Sequence, residues 1–422
     1  MSNSIRLRIP KQTKITLNQM LDFSLIVFLC FPAFVFAINY FMRFVGLDGI
    51  GRTLSLMLVY VPLIFVAVRR KRVIYDFWVI WVAVVLFFLL TYIIHPEYEP
   101  WYTREEYGVL DYVLMPQNGL YIYLLLRHVN DPKRILRCVR LSSWPMYLYY
   151  ALQIEKASES CYWIDYSNYG YEIHLSYNLS LGYSVLLFVL AFLYCALENK
   201  KVYDWIGAAT GMALILLAGS RGPILDIIIF LILYFAVRLG KSRKKVFTMV
   251  GVAAVGVLFY FVYPYLLAGA SIVLNRFNIS SRFLEKLLNG TISDDAGRLI
   301  IWKAAVNMIK ENPWGYGAMG SRHVISKYVY VGHPHNIFLE LLIDFGVIFG
   351  TVIIIWLLYW AIKLLATKGN DEWKGVFLVF FSRACQLLLS LTFWHSIGLW
   401  GALAIGACMW RACKKRRYLN VI

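Results

Sequence analysis

Hydrophobic residues in this chain gather into long runs broken by polar loops. Over most of its length there is neither the alternation of half-buried strands nor the narrow stripe of a soluble surface helix. A bilayer core takes roughly 20 apolar residues per crossing helix. By that measure the chain predicts twelve spans, centred near Val27, Pro62, Val85, Leu120, Met146, Phe188, Thr210, Phe230, Phe259, Ile353, Leu378 and Ile405. Two are interrupted: Pro116, Gln117 and Asn118 break the fourth, and Arg140 and Pro145 stand inside the fifth. The first run, Leu21–Ala37, has no small-residue cleavage site and is expected to stay as a span. The predicted fold class is an all-α polytopic membrane protein of about 12 transmembrane helices. No period of 20–50 residues divides the chain, so residues 1–422 read as one integral domain.

Composition excludes an ordinary soluble globule: 60% of the 422 residues are hydrophobic and only 16% charged. The charges add an orientation. Alternate loops counted from the N-terminus hold Arg6, Arg8, Lys11 and Lys14, then Arg69 to Arg72, Arg127 to Arg140, Lys200 and Lys201, Arg238 to Lys245, Lys363 to Lys374, and Arg411 to Arg417. That set contains 28 of the 42 basic residues, whereas the intervening stretch 95–111 has five acids and one arginine. Loops rich in lysine and arginine stay on the cytoplasmic side. Both termini are therefore expected in the cytoplasm, with the chain multi-pass in the cytoplasmic (inner) membrane. The net charge of +18 reads as topology and contact with anionic membrane lipids, not nucleic-acid binding. The seven cysteines form no framework: four lie in apolar runs, Cys138 and Cys413 lie near the inner face, and only Cys161 faces outward.

Two outward segments exceed what a connection needs, about 153–177 and 268–336. The first is rich in tyrosine; Tyr162, Tyr166, Tyr169 and Tyr171 suit either sugar stacking or an interfacial aromatic belt. The second carries helix signals. Ser293, Asp294 and Asp295 suit an N-cap, and Asn312-Pro313 with Gly315 and Gly317 makes a stop and a turn. Between them Leu299, Trp302, Val306 and Ile309 recur at helical spacing, predicting a helix with that stripe laid on the outer membrane surface.

Three outward groups could do chemistry. Arg221, beside Ser220 between two glycines, sits at the outer end of the seventh span. It reads as an interface arginine reaching lipid phosphate or as a cation facing a polar cavity. Arg298 opens the outer helix, where free amide groups already favour an anion. It would either pair with Asp294 or Asp295 or grip phosphate in a bidentate fork. His333 and His335 flank Pro334 on backbone expected to be extended. Two histidines alone make a poor metal site, which leaves loop histidines or a neutral general base. Asn336 would orient the ring or a sugar. Glu340, Asp344 and Asp226 point into the same cavity or pair within the membrane with Arg383 or hydroxyls.

Together these stretches resemble the O-antigen ligase and O-antigen polymerase superfamily. The match rests on GSRG at 219–222, RLIIWKAAVNMIKENPWGYGAMG at 298–320 and HNIFLELLIDFGVIFG at 335–350. Arg221 fits the first motif; Arg298, Trp302, Pro313, Gly315 and Gly317 fit the second; His335, Asn336 and Gly346 fit the third. Phe349 departs from it, with Gly350 one position late. The resemblance implies a GT-C-like inverting glycosyltransferase without metal or cofactor, its active site on the outer face. Its donor would be an undecaprenyl-diphosphate-linked oligosaccharide, its acceptor a glycan hydroxyl, with room for a chain-length regulator. His335 would be the catalytic base and Arg221 and Arg298 the diphosphate-binding residues, supported by Asn336, Ser220, His333 and Glu340. The favoured activity is polymerase of O-antigen, capsule or exopolysaccharide. The alternatives are a ligase acting on lipid A core and a transporter of lipid-linked oligosaccharide.

Overall fold

The computed structural model describes residues 16–47, 49–104, 108–160, 163–166, 172–175, 179–218, 222–239, 297–328, 333–367 and 369–419, with six isolated positions between 265 and 276. The described architecture is helical. Three helices come first: α1 (Leu17–Leu29), α2 (Phe31–Arg43) and α3 (Gly51–Arg69). Then follow α4 (Tyr75–Ile94), the short α5 (Glu99–Tyr102), α6 (Gly119–Val129) and α7 (Pro132–Ser160). Next are α8 (Leu179–Asn199), α9 (Val202–Leu217) and α10 (Gly222–Leu239). After position 297 come α11 (Arg298–Glu311), α12 (Gly320–Ile325), α13 (Ile337–Ala366), α14 (Asp371–Ala384) and α15 (Ile397–Leu419). One hairpin departs from the all-α expectation. Strands β1 (Trp163–Tyr166) and β2 (Glu172–Leu175) pair antiparallel within the tyrosine-rich segment, Trp163 opposite Leu175.

Eleven of the twelve expected span centres fall on described helices, and the ninth, near Phe259, lies outside the described residues. Length sorts them. Among the described residues α3, α4, α8 and α13 are each long and apolar enough to cross a bilayer alone. The first expected span is instead two helices, α1 and α2, bent by 86°. Pro32 explains the break: it has no N–H, and its ring would strike the carbonyl of Phe28 if the helix continued. Proline is accommodated in the first turn of α2, where that N–H has no partner anyway. The run through Pro116–Asn118 becomes helical only from Gly119, so α6 has 11 residues and spans about 16 Å. By contrast α7 continues through Pro145 for 29 residues. Its Arg140 is matched by a 2.6 Å ion pair with Asp204 of α9.

The apolar core lies inside the bundle, where Leu25, Leu126, Leu186, Leu190, Phe377 and Ile405 are fully buried. Several ion pairs tie helix ends together. Arg134 of α7 bonds Asp22 and Asn18 of α1, and Arg70 after α3 also reaches Asn18. The fully buried Arg127 of α6 pairs with Asp76 of α4 at 2.7 Å, and Arg411 of α15 approaches the same carboxylate. Arg238 at the end of α10 bonds Glu198 at the end of α8. The basic residues that gave the sequence its orientation thus meet at a common end. The segments holding Arg298, the two histidines and Glu340 lie at the other.

Candidate active site

The site is assembled on a break in α13. Gly346 has φ 76° and ψ 168°, so the helix stops and restarts there. A broken helix frees carbonyls and an N–H group that need partners. The 313–317 turn supplies them: Tyr316 N–H donates to Ile343 O at 2.8 Å, Gly317 N–H to Asp344 O at 3.0 Å, and Val347 N–H to Pro313 O at 2.8 Å. The two backbones touch. A Cβ on Gly315 would lie 2.4 Å from Gly346 N, and one on Gly346 would lie 2.4 Å from Trp314 O. Both glycines also have positive φ, which other residues adopt at a cost. The Pro-x-Gly-x-Gly turn and the distant Gly346 are therefore one structural unit. Past the break, a Cβ at Gly350 would meet Leu341 O at 2.6 Å, so a glycine here lets the two halves of α13 pack closely.

That unit carries α11 and α12. The helix expected here is present, though it starts on a different cap from the one the sequence suggested. Gly297 occupies the N-cap with φ 77° and no side-chain bond; Ser293, Asp294 and Asp295 lie outside the described residues. The buried face is Ile301, Ala304, Ala305 and Met308, packed on Ile325 of α12 and Ile343 of α13. Leu299 and Val306 of the predicted stripe point outward, and Trp302 and Ile309 flank the contact. Two alanines allow a close helix contact that leucine and valine at those points would prevent. Burying Ile301, Met308 and Ile325 contributes roughly 1.5–3 kcal/mol each. Arg298 is thereby held, half-buried, at the helix start.

His333 and His335 follow α12. The extended backbone expected around Pro334 gives way at His335, whose φ is 52°. That turn puts the two rings together, 4.1 Å between centroids and inclined by 61°. Among the described residues His333 Nε2 and His335 Nδ1 are buried with no hydrogen-bond partner. Burial, with the positive charges of Arg298 and Arg322, lowers His335 from the ordinary histidine value to about 4. Burial, His335 and Arg322 hold His333 well below its usual range. Both rings are thus neutral at pH 7, and each presents a nitrogen able to take a proton.

Two of the expected supporting residues, Asn336 and Glu340, make structural contacts. Asn336 caps α13, its side-chain oxygen accepting from Phe338 N–H at 3.0 Å and Leu339 N–H at 3.3 Å. Glu340 is buried and accepts from the Thr392 hydroxyl and from Phe393 N–H at 3.4 Å, so the hydroxyl reading holds for it, not a pair with Arg383. Asp344 is buried, and among the described residues neither of its carboxylate oxygens has a hydrogen-bond partner. Asp226 stands within the field of Arg383, whose guanidinium bonds Gln386 and lies 5.7 Å from the Tyr183 ring. Ser220 and Arg221 fall outside the described residues, as do Tyr162, Tyr169 and Tyr171. Next to Arg221, a Cβ on Gly222 would lie 1.6 Å from the Tyr183 hydroxyl, and the charge of Arg298 reaches that same tyrosine.

The structure thus puts the His333 and His335 rings side by side, with the charge of Arg298 acting on His335. It adds a residue that sequence reasoning missed, Arg322 on α12, only 5% exposed. Its signal was present: Gly-Ser-Arg at 320–322 repeats Gly-Ser-Arg at 219–221. Among the described residues no three His, Cys, Asp or Glu side chains gather into a metal-binding group. A neutral imidazole beside guanidinium groups can accept a hydroxyl proton next to a bound anion. Residues 206–355 match a family model described as O-antigen ligase. No curated protein and no solved structure matches the chain.

Proposed function

We propose that this chain, whose residues 206–355 match a family model described as O-antigen ligase, belongs to the O-antigen ligase and polymerase superfamily and is a polymerase of a bacterial surface polysaccharide. In this reading it moves glycan from an undecaprenyl-diphosphate-linked donor to a sugar hydroxyl on another lipid-linked repeat unit, at the outer face of the cytoplasmic membrane. The observation that carries the proposal is the half-buried, neutral His335, its ring against that of His333, in the field of Arg298 and within the matched span. His335 takes the acceptor hydroxyl proton as that oxygen attacks the anomeric carbon. The bond to the diphosphate oxygen breaks on the opposite face, so the configuration inverts. The electron pair leaves with the diphosphate, and the proton passes from the ring to solvent. Arg298 and Arg221 receive the developing charge through bidentate hydrogen bonds, without a metal ion.

Donor binding also prepares the base. In the free site burial first, and then the arginine charges, hold His335 low. A bound diphosphate offsets the arginine part of that shift and makes the ring a better proton acceptor than in the free site. Asn336 and His333 keep the His335 turn in place, and Ser220 supports Arg221. The rest of the reading comprises a GT-C-like bundle of twelve spans in one domain, the loop at 268–336, and both termini in the cytoplasm.

The family description itself favours a second reading, a ligase with lipid A core as acceptor. One experiment separates the readings: purified protein in liposomes is given its lipid-linked repeat, and the product is run on a gel. The proposal expects a ladder. A single shift that requires added lipid A core means ligase, and an unchanged repeat overturns the enzyme reading in favour of a carrier.

A further inference from the structure

His333 stands in the reaction above only as a support for the His335 turn, yet its contact with the base is closer than that. The two imidazole centroids lie 4.1 Å apart with the planes inclined by 61°, edge against face. At that separation the rings touch. Each ring also has one nitrogen sealed from solvent with no hydrogen-bond partner among the described residues, Nδ1 of His335 and Nε2 of His333. A buried polar atom without a partner is rare in a native fold and calls for an explanation. Here two such atoms sit on touching rings, and the loop is built to keep them there. Pro334 between the histidines is buried, its φ fixed by its ring. His335 is held at φ 52°, an uncommon conformation for a residue other than glycine. Asn336 fastens the far side: it accepts from Phe338 N–H and Leu339 N–H of α13 and donates to Leu388 O at 3.5 Å.

We propose that His333 is the positioning residue of the base: its Nε2 accepts the Nδ1–H of His335 and so leaves the Nε2 lone pair of His335 for the acceptor hydroxyl. The inference rests on His335 being the base of the reaction. A neutral imidazole has one N–H and one lone pair, and the bond made by one nitrogen decides the state of the other. With its own proton on Nδ1, His333 offers at Nε2 the lone pair that the His335 donor needs. In this structure that bond is not closed; hydrogen bonds to a general base often tighten only when substrate fills the site. When His335 takes the hydroxyl proton on Nε2, both its nitrogens carry hydrogen, and His333 Nε2 accepts from the Nδ1–H of the cation. The charge stays on His335 and no proton moves to His333 in this step. A neutral ring orients the base as a carboxylate would, without placing a negative charge beside the diphosphate.

Two variants in the liposome assay test this. His333→Phe keeps a ring in the loop and removes both nitrogens. It should lower kcat by roughly 10- to 100-fold, the size of one hydrogen bond to a charged group, with KM for the lipid-linked repeat and Tm unchanged. His333→Gln keeps an acceptor oxygen and should recover most of that loss. Wild-type turnover by His333→Phe, or a loss in His333→Gln as large as in His333→Phe, overturns the proposal. Should His333→Phe fail to fold, His333→Leu is read in its place. A second readout needs no activity: nitrogen-15 NMR of the purified protein labelled in its seven histidines, with a His335→Gln spectrum to assign the signal. Because His335 Nδ1 is sealed from solvent, the wild type should carry the His335 proton on Nδ1 even without substrate, and His333→Phe should move it to Nε2. A wild-type proton on Nε2, or no change in the variant, overturns the proposal. A wild type that elongates nothing refutes the polymerase reading, and the spectrum then still decides whether His333 sets the tautomer of His335.

Discussion

Arg298 is the residue whose chemistry is most exposed to test, because its charge and its shape can be separated. A guanidinium offers a planar fork to two phosphate oxygens, whereas an ammonium offers a point charge. One charge-assisted hydrogen bond is worth roughly 1.5–3 kcal/mol, so Arg298→Lys should lower kcat by roughly 10- to 100-fold with the fold intact. Wild-type turnover by that variant would return Arg298 to a surface role. Arg298 and His335 were legible in the sequence because each breaks its surroundings: a cation at a helix start, and a histidine between a proline and an asparagine. Asn336 and Glu340 were visible for the same reason, yet their duties were not. Asn336 caps α13 and Glu340 accepts from a hydroxyl, contacts that appear only once the backbone is known. Arg322 stayed hidden because one arginine in a polar outer segment reads as solvated. Only the fold buries it against Tyr112, 210 positions away.

At the scale of elements, the break in α13 decides where everything else goes. From sequence, residues 337–366 read as one apolar run, and Gly346 was visible only through the motif. The carbonyls it frees are bound by a turn about 30 positions earlier, which no local pattern announces. Gly346→Ala would put a Cβ against Trp314 O and force a positive φ on alanine, at a cost of about 1–3 kcal/mol. The expected result is a lower Tm in detergent, with transfer activity falling alongside. An unchanged Tm would mean that the turn and the break are not coupled. The face of α11 that packs on the protein was not legible, because the spacing marked only the apolar stripe. Spacing chose the large residues Leu299 and Val306, while packing chose Ala304 and Ala305 because the neighbouring helix is close. The bend at Cys30 had its signal in Pro32, which hydropathy averaging conceals.

For the whole molecule, the described helices carry their paired basic residues to one end and the histidine–arginine group to the other. Hydropathy and the placement of lysine and arginine made that arrangement legible, since both follow from the cost of burying charge in lipid. Lengths were less legible: α6 is too short to cross alone, and α1 with α2 is sharply bent. Side-to-side packing has no trace in a hydropathy pattern. Orientation can be checked with single cysteines in a cysteine-free protein. Lys303→Cys, on the exposed face of α11, should react with a membrane-impermeant maleimide from outside, and Lys200→Cys only after permeabilisation. The reverse pattern would turn the molecule over and put the site on the wrong face for a lipid-linked repeat. Above orientation stands the claim that this outer cluster performs the transfer, and His335→Ala in the liposome assay addresses it most directly. A wild-type ladder, and no lengthening by a variant with unchanged Tm, is the predicted result; an equal ladder from His335→Ala would contradict it.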